Sequence, residues 1–179
     1  MFHALTSRRP YQIVILAIIG AVLVRVFVLD SFIVQGDSMA PSIIAGDYVF
    51  VEKFAYQRRE PAPGDIVVGR FRELDIRAIK RVIAVPPEWV TVTPTEIFVQ
   101  DGREGTSTRV ADRQYIELPG EATNGATSTY RLDPYEYFVL GDNRAISEDS
   151  RTFGPMDRFS VKGVVIARFR FSNFSYKIF

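Results

Sequence analysis

The sequence contains no cysteine, which removes thiol catalysis, disulfides and thiolate metal sites together. Its one histidine, His3, stands at the extreme N-terminus. A histidine base in the body of the fold and a multi-histidine metal site are therefore excluded, and no metal or other cofactor is expected. An excess of basic charge is also missing. Lys+Arg 22 against Asp+Glu 21 leaves a formal net charge of +1, so the electrostatic footprint of a nucleic-acid partner is absent. Lysine is scarce: only Lys53, Lys80, Lys162 and Lys177 occur, and the other Lys/Arg positions are arginines, which cannot lose a proton at any useful pH. What remains is a chain of 179 residues, 47% hydrophobic and 24% charged, enough for one globular catalytic or binding unit.

The N-terminal 29 residues differ from the rest, with Arg8, Arg9 and Arg25 and no acidic side chain. Pro10 is suited to a helix start, where the missing N–H is not needed, and the run from Tyr11 to Leu29 is apolar apart from Gln12 and Arg25. As a helix, Ile13 to Leu29 would reach about 25 Å, somewhat short of a hydrocarbon core of about 30 Å. The unbroken stretch, Ile13 to Val24, suits a signal-peptide core or a buried helix as well as a span. The residues that follow, VRVFVLDSF, offer no pair of small residues for processing, and Arg25 near the far end can snorkel to the interface. The expectation is a retained single anchor over residues 11–29. Arg8 and Arg9 before it, with Asp30, Asp37 and Asp47 after it, place residues 1–10 in the cytoplasm and 30–179 outside.

Residues 30–179 read as mostly β. Short Val-, Ile- and Phe-rich runs (SFIVQ, YVFVEKF, DIVVGRF, RAIKRVIAV, WVTVT, EIFVQ, EYFVLG, VVIARFRF) alternate with turn signals such as Ala45-Gly46-Asp47, Pro86-Pro87 and Gly141-Asp142-Asn143. A curved, largely antiparallel, barrel-like sheet is expected. Residues 103–129, rich in Gly, Ser and Thr, read as a loop-rich insertion.

Without cysteine or a usable histidine, a covalent hydrolase would need Ser or Thr as nucleophile and Lys as base. Lys80 interrupts an apolar strand. Buried there it would lose preference for the charged form and become a base near neutrality; pointing outward it would be an ordinary strand lysine. Ser38, in VQGDSMAPSI, follows Gly36 and precedes Pro41, so it would stand at a strand-to-turn junction; the same pattern also makes an ordinary turn. A third segment, GDNRAISEDSR, gathers Asp142, Arg144, Glu148, Asp149 and Arg151 around Ser147 and Ser150, a solvated loop or a structured one.

Together and in this order, behind one anchor, GDSMAPSIIAGDYVFVEK, PGDIVV, IKRVIAVP and GDNRAISEDSRTFG resemble the four boxes of the bacterial type I signal peptidases, membrane-bound serine proteases with a Ser/Lys dyad. The resemblance implies that Ser38 is the nucleophile and Lys80 the general base. It implies that Ser147 hydrogen-bonds the Lys80 amine, that Asp142 pairs with Arg81, and that Asp149 pairs with Arg151. It further implies removal of signal peptides from secreted preproteins by cutting after small residues in Ala-X-Ala sites. Phe32, Val34, Met39, Ile43 and Ile79 would wall the shallow apolar pockets. The implied setting is the cell membrane, with preproteins and membrane lipid as partners, no nucleic acid, and a monomer.

Three positions depart from the family pattern. Gly36 stands where part of the family has a serine that helps the oxyanion hole, Pro86-Pro87-Glu88 replaces Pro-Gly-Asp, and Ala78 replaces an aromatic residue two before the lysine. Other readings are a Ser/Lys protease for a narrow substrate set, a self-cleaving repressor type, which would need a DNA-binding domain in place of the apolar run, and a non-catalytic anchored β module.

Overall fold

The computed structural model describes residues 10–23, 28–71, 77–102, 104–110 and 127–179. Pro10 opens the first helix, α1 (Pro10–Leu23), as its fixed φ suits. Apart from Gln12 the helix is apolar, and its large apolar side chains, from Tyr11 to Val22, are exposed. Among the described residues no helix is long and apolar enough to cross a membrane. Leu29, the last residue of the expected helical run, is not helical. Leu29 opens strand β1 (Leu29–Ile33), where its backbone pairs with Glu52. His3, Arg8, Arg9 and Arg25 lie outside the described residues.

The chain then forms β2 (Tyr48–Glu52), a single helical turn α2 (Ala55–Arg58), β3 (Ile66–Gly69), β4 (Ala78–Ala84), β5 (Trp89–Val92), β6 (Ile97–Gln100), β7 (Ser107–Arg109), β8 (Ser128–Arg131), β9 (Glu136–Leu140), a second turn α3 (Ser150–Phe153), β10 (Met156–Asp157), β11 (Val161–Arg170) and β12 (Ser175–Ile178). All eight expected strand runs are strands. Four further ones, β7, β8, β10 and β12, are short or polar, and β7 and the start of β8 fall inside the 103–129 segment read as loop. Residue 103 and residues 111–126 of that segment lie outside the described residues.

The main sheet runs β1-β2-β11-β3-β4-β9-β10, with β12 added to β11, and every pairing is antiparallel. Register shifts in β11 at Val161/Gly163 and Val165/Ala167, and in β4 at Val82/Ala84, mark the bulges that bend a sheet. At Gly163 a Cβ would run into the Glu52 carbonyl and the Val51 side chain, so only glycine lets β11 pass this close to β2. The result is a curled half-barrel in which β1 comes round to face β4. A second sheet, β7-β6-β5-β8, alternates buried and half-buried residues along β5 and β6. Its Val90, Val92, Ile97 and Val99 share a core with Ile83, Ala84, Phe138 and Leu140 of the main sheet.

Lys80 sits in the middle of β4, a strand whose seven residues are all buried. Its neighbours pin the register: Lys80 pairs with Val67 and Arg81 with Ile66. The lysine that sequence alone leaves between interior and solvent is therefore interior.

Candidate active site

Ser38 lies on the turn after β1. Gly36 enters that turn at φ +86°, a left-handed conformation that side chains resist, which accounts for glycine rather than serine at this position. The turn is tied at both ends. Asp37 Oδ1 accepts from the Ala45 N–H, Val34 N–H donates to the Asp47 carbonyl, and Ile44 N–H donates to Asp47 Oδ2. Asp47 is itself fully buried and clamped by Arg170, whose Nε and Nη2 donate to its two oxygens at 2.8 Å each. Burial alone would raise the Asp47 carboxyl, but the hydrogen bonds from Arg170 and Ile44 prevail and hold it below the usual carboxylate range.

Lys80 Nζ donates to Ser38 Oγ at 3.0 Å. The lysine is only 4% exposed. Burial pushes its ammonium below the ordinary lysine range; the nearby Asp149 carboxylate opposes that shift and Arg151 adds to it. A lysine so placed can hold a free lone pair toward a serine hydroxyl, the arrangement that an activated alcohol nucleophile needs.

Arg81, the next residue on β4, points to the other face of the sheet. Its Nε and Nη2 donate to Asp142 at 2.8 and 2.6 Å, a bidentate pair with both partners buried. The same guanidinium reaches the Gly64 carbonyl and Ser42 Oγ, so β4, the turn after Ser38 and the segment from Gly141 are held by one cation. Asp149 is fully buried. It accepts from Arg151 Nε at 2.9 Å and Nη2 at 3.0 Å, takes the Gly141 N–H, and caps α3 through the Arg151 N–H. Arg151 returns to the Arg144 and Ser147 carbonyls. Both expected ion pairs are present.

Ser147 differs from expectation. It is buried, yet its Oγ has no hydrogen-bond partner and does not bond Lys80, whose Nζ bonds Ser38. The Ser147 N–H is engaged with the Asn143 carbonyl, and its hydroxyl is packed against Gly141. A Cβ on Gly141 would collide with both Ser147 Oγ and the Ser38 carbonyl, the latter also accepting from Asn143 N–H. Gly141 is thus where the closing loop touches the Ser38 turn.

A groove of about 740 Å³ opens over Ser38 and Lys80, between β1 and β4. Of the expected wall residues, Phe32, Val34, Met39 and Ile79 line it, together with Ala78. Ile43 does not. It is 0% exposed and belongs to the core beneath, with Val49, Ile66 and Val165. Its N–H is turned back to the Met39 carbonyl, which directs the chain inward after the turn. Beyond Lys80, the Pro86-Pro87-Glu88 turn is closed by Glu88, whose side chain accepts from the Val85 N–H at 2.8 Å. The sequence reading gives no role to Ser42, Asp47, Gly141 or Ser150; the last, fully buried, accepts from the Val139 N–H. Their only sequence signal is a small or acidic residue beside a recognisable box.

Among the described residues no cluster of side chains could hold a metal ion. Residues 7–170 match the family model described as signal peptidase, peptidase S26. The chain is 30% identical over 151 residues to a signal peptidase I of Bacillus licheniformis, covering 84% of this chain and 81% of that one. It is 28% identical over 223 residues to a signal peptidase I of Rickettsia bellii, covering 97% and 75%. A crystal structure of a signal peptidase I from Enterococcus faecalis is also similar, at 29% identity and a TM-score of 0.45, covering 59% of this chain and 97% of that one.

Proposed function

The chain belongs to the signal peptidase family, peptidase S26, and is a serine endopeptidase of the signal peptidase I type; from that premise we propose that it removes signal peptides from secreted preproteins with Ser38 as nucleophile and Lys80 as general base. The observation that carries this reading is the 3.0 Å contact between a buried lysine amine and a serine hydroxyl on the floor of an apolar groove.

The reaction is acyl transfer. Neutral Lys80 takes the Ser38 proton as Oγ attacks the carbonyl carbon, and the resulting ammonium gives that proton to the departing amine. Lys80 then takes a proton from water, the hydroxide attacks the acyl ester, and the proton returns to Ser38. Ser147 Oγ, unpaired beside the Ser38 carbonyl, is an acceptor available to the Lys80 ammonium when it forms. The backbone N–H of Ser38 serves the oxyanion, since Gly36 brings no hydroxyl to it. Arg81 with Asp142 and Arg151 with Asp149 act by holding the closing loop against the Ser38 turn.

Phe32, Val34, Met39 and Ile79 give the groove its preference for small apolar side chains of the Ala-X-Ala type. In this reading α1 is the described part of a single membrane anchor, which is supported by its exposed apolar side chains, since a helix apolar over nearly all its girth needs lipid or protein around it. The anchor leaves residues 1–10 in the cytoplasm and the half-barrel outside. The enzyme works as a monomer.

The test is incubation of a detergent-solubilised preprotein carrying an Ala-X-Ala site with wild type and Ser38→Ala, the products mapped by mass spectrometry. Cleavage after the second alanine by wild type alone is expected. Equal cleavage by Ser38→Ala, or none by folded wild type, would overturn the reading.

A further inference from the structure

Ser147 turns inward from the closing loop, and the residues on either side of it, Ile146 and Glu148, turn the other way. Both line the groove that holds Ser38 and Lys80. Ile146 is 61% exposed, a large apolar side chain facing open space, and Glu148 is exposed as well. Neither side chain holds the loop: its side-chain restraints come from Asp142, Arg144, Asp149 and Arg151. Glu148 forms no ion pair among the described residues. It stands close enough to Lys80 for its charge to favour the protonated amine.

Charge along the groove is unequal. At the nucleophile end stand two carboxylates, Asp37 and Glu148, with Lys80 between strands; Arg77, the one arginine of the lining among the described residues, is at the far end, where it pairs with Asp30 at 3.1 Å and stacks over Phe32. Asp37 already accepts from Ala45 N–H. Glu148 is the carboxylate left to a substrate.

We infer that Ile146 and Glu148 form a specificity site for a basic substrate side chain next to the scissile bond, the aliphatic stem of Lys or Arg lying over Ile146 and its cation meeting Glu148. This rests on the reading that the groove holds a peptide across Ser38. Lys and Arg suit such a pair because their stems cover apolar surface while their charged heads stay near water. An extended peptide alternates its side chains, so residues one and three before the cut enter the apolar wall. The second residue before the cut and the first after it are the ones left for Ile146 and Glu148.

The test uses the full chain in neutral detergent and peptides around one Ala-X-Ala site, differing only by Lys, Gln or Glu at the second residue before the cut or the first after it. At one of the two positions kcat/KM for Lys exceeds that for Glu by about fivefold, the size an exposed ion pair carries. The preference shrinks with added salt, disappears in Glu148→Gln and reverses in Glu148→Lys. A structural role for Glu148 would lower all three rates together and leave the ratio intact. Equal rates for Lys and Glu at both positions, or a preference that survives Glu148→Gln, would overturn the inference while leaving the peptidase standing. Failure to cut any of the peptides would overturn both.

Discussion

Lys80 Nζ and Ser38 Oγ meet at 3.0 Å although 42 positions separate them in the chain. The meeting depends on the sheet order: β3 and β11 pass between the strand that carries Lys80 and the hairpin that ends at the Ser38 turn, and the curl of the sheet closes the distance. Arg81 and Asp142 then lock the arrangement from the opposite face of β4.

Lys80→Arg keeps the positive charge and loses the base, because a guanidinium holds its proton at any working pH. Activity on an Ala-X-Ala substrate is expected to fall by about a thousandfold or more, with Lys80→Ala losing as much. Peptide kinetics on variants with unchanged circular dichroism check this.

The depressed affinity of Lys80 for a proton has a stability consequence. The unfolded chain binds the Lys80 proton up to an ordinary pKa of 10.5 and the folded chain releases it earlier, so stability attached to this group is full above 10.5 and is lost as pH falls through the folded value. Lys80→Met removes the group. It is expected to be more stable than wild type at the low end of this window, by about 1–3 kcal/mol, with the gap closing as pH rises toward 10.5. Denaturant midpoints across pH measure it. In the same direction, wild-type kcat/KM rises with pH as Lys80 deprotonates.

Asp142→Ala leaves the Arg81 cation buried without its carboxylate. A loss of about 3–5 kcal/mol is expected, and the Arg81→Met, Asp142→Leu double variant should recover much of it, since replacing a whole buried pair by apolar groups costs far less than halving it. Thermal or denaturant unfolding of the three proteins decides. Activity should stay low in the double variant, whose closing loop has lost its tie to β4.

Gly141→Ala places a methyl group against Ser147 Oγ and the Ser38 carbonyl. Both belong to the site, so activity should fall by about a hundredfold or more, because misplacement of reacting groups by small distances is costly to rate, and the clash with a backbone carbonyl and a buried side chain should cost about 1–3 kcal/mol of stability as well. Peptide kinetics and thermal unfolding measure the two losses; unchanged activity in the folded variant would contradict this contact's role in the site.

Only the resemblance to the four boxes taken together pointed to Ser38, Lys80 and both ion pairs; the residue pattern alone left Lys80 between interior and solvent, Ser38 in an ordinary turn and the closing loop between solvated and structured. The strands were legible where β-branched residues cluster; β12, Ser175 to Ile178, and β10, two residues long, carry too little pattern. Ile43 could be read as wall or core, since an apolar residue after a turn is compatible with either, and only the tertiary fold buries it. The unpaired Ser147 hydroxyl could not be foreseen, because it depends on how closely Gly141 packs. Asp47 looked like one more acidic residue after the apolar run, and its partner, Arg170, lies 123 positions away.

The central claim is that Lys80 stands next to Ser38 as an amine that gives up its proton more readily than an ordinary lysine. Its most direct test is an NMR titration of the full chain in detergent with lysine side chains isotopically labelled, the Lys80 signal assigned by its loss in Lys80→Met. The chain has four lysines, so the spectrum is simple. A Lys80 signal that titrates below 10.5, and is missing in Lys80→Met, is the predicted result; a Lys80 signal that titrates at the ordinary 10.5 would contradict it.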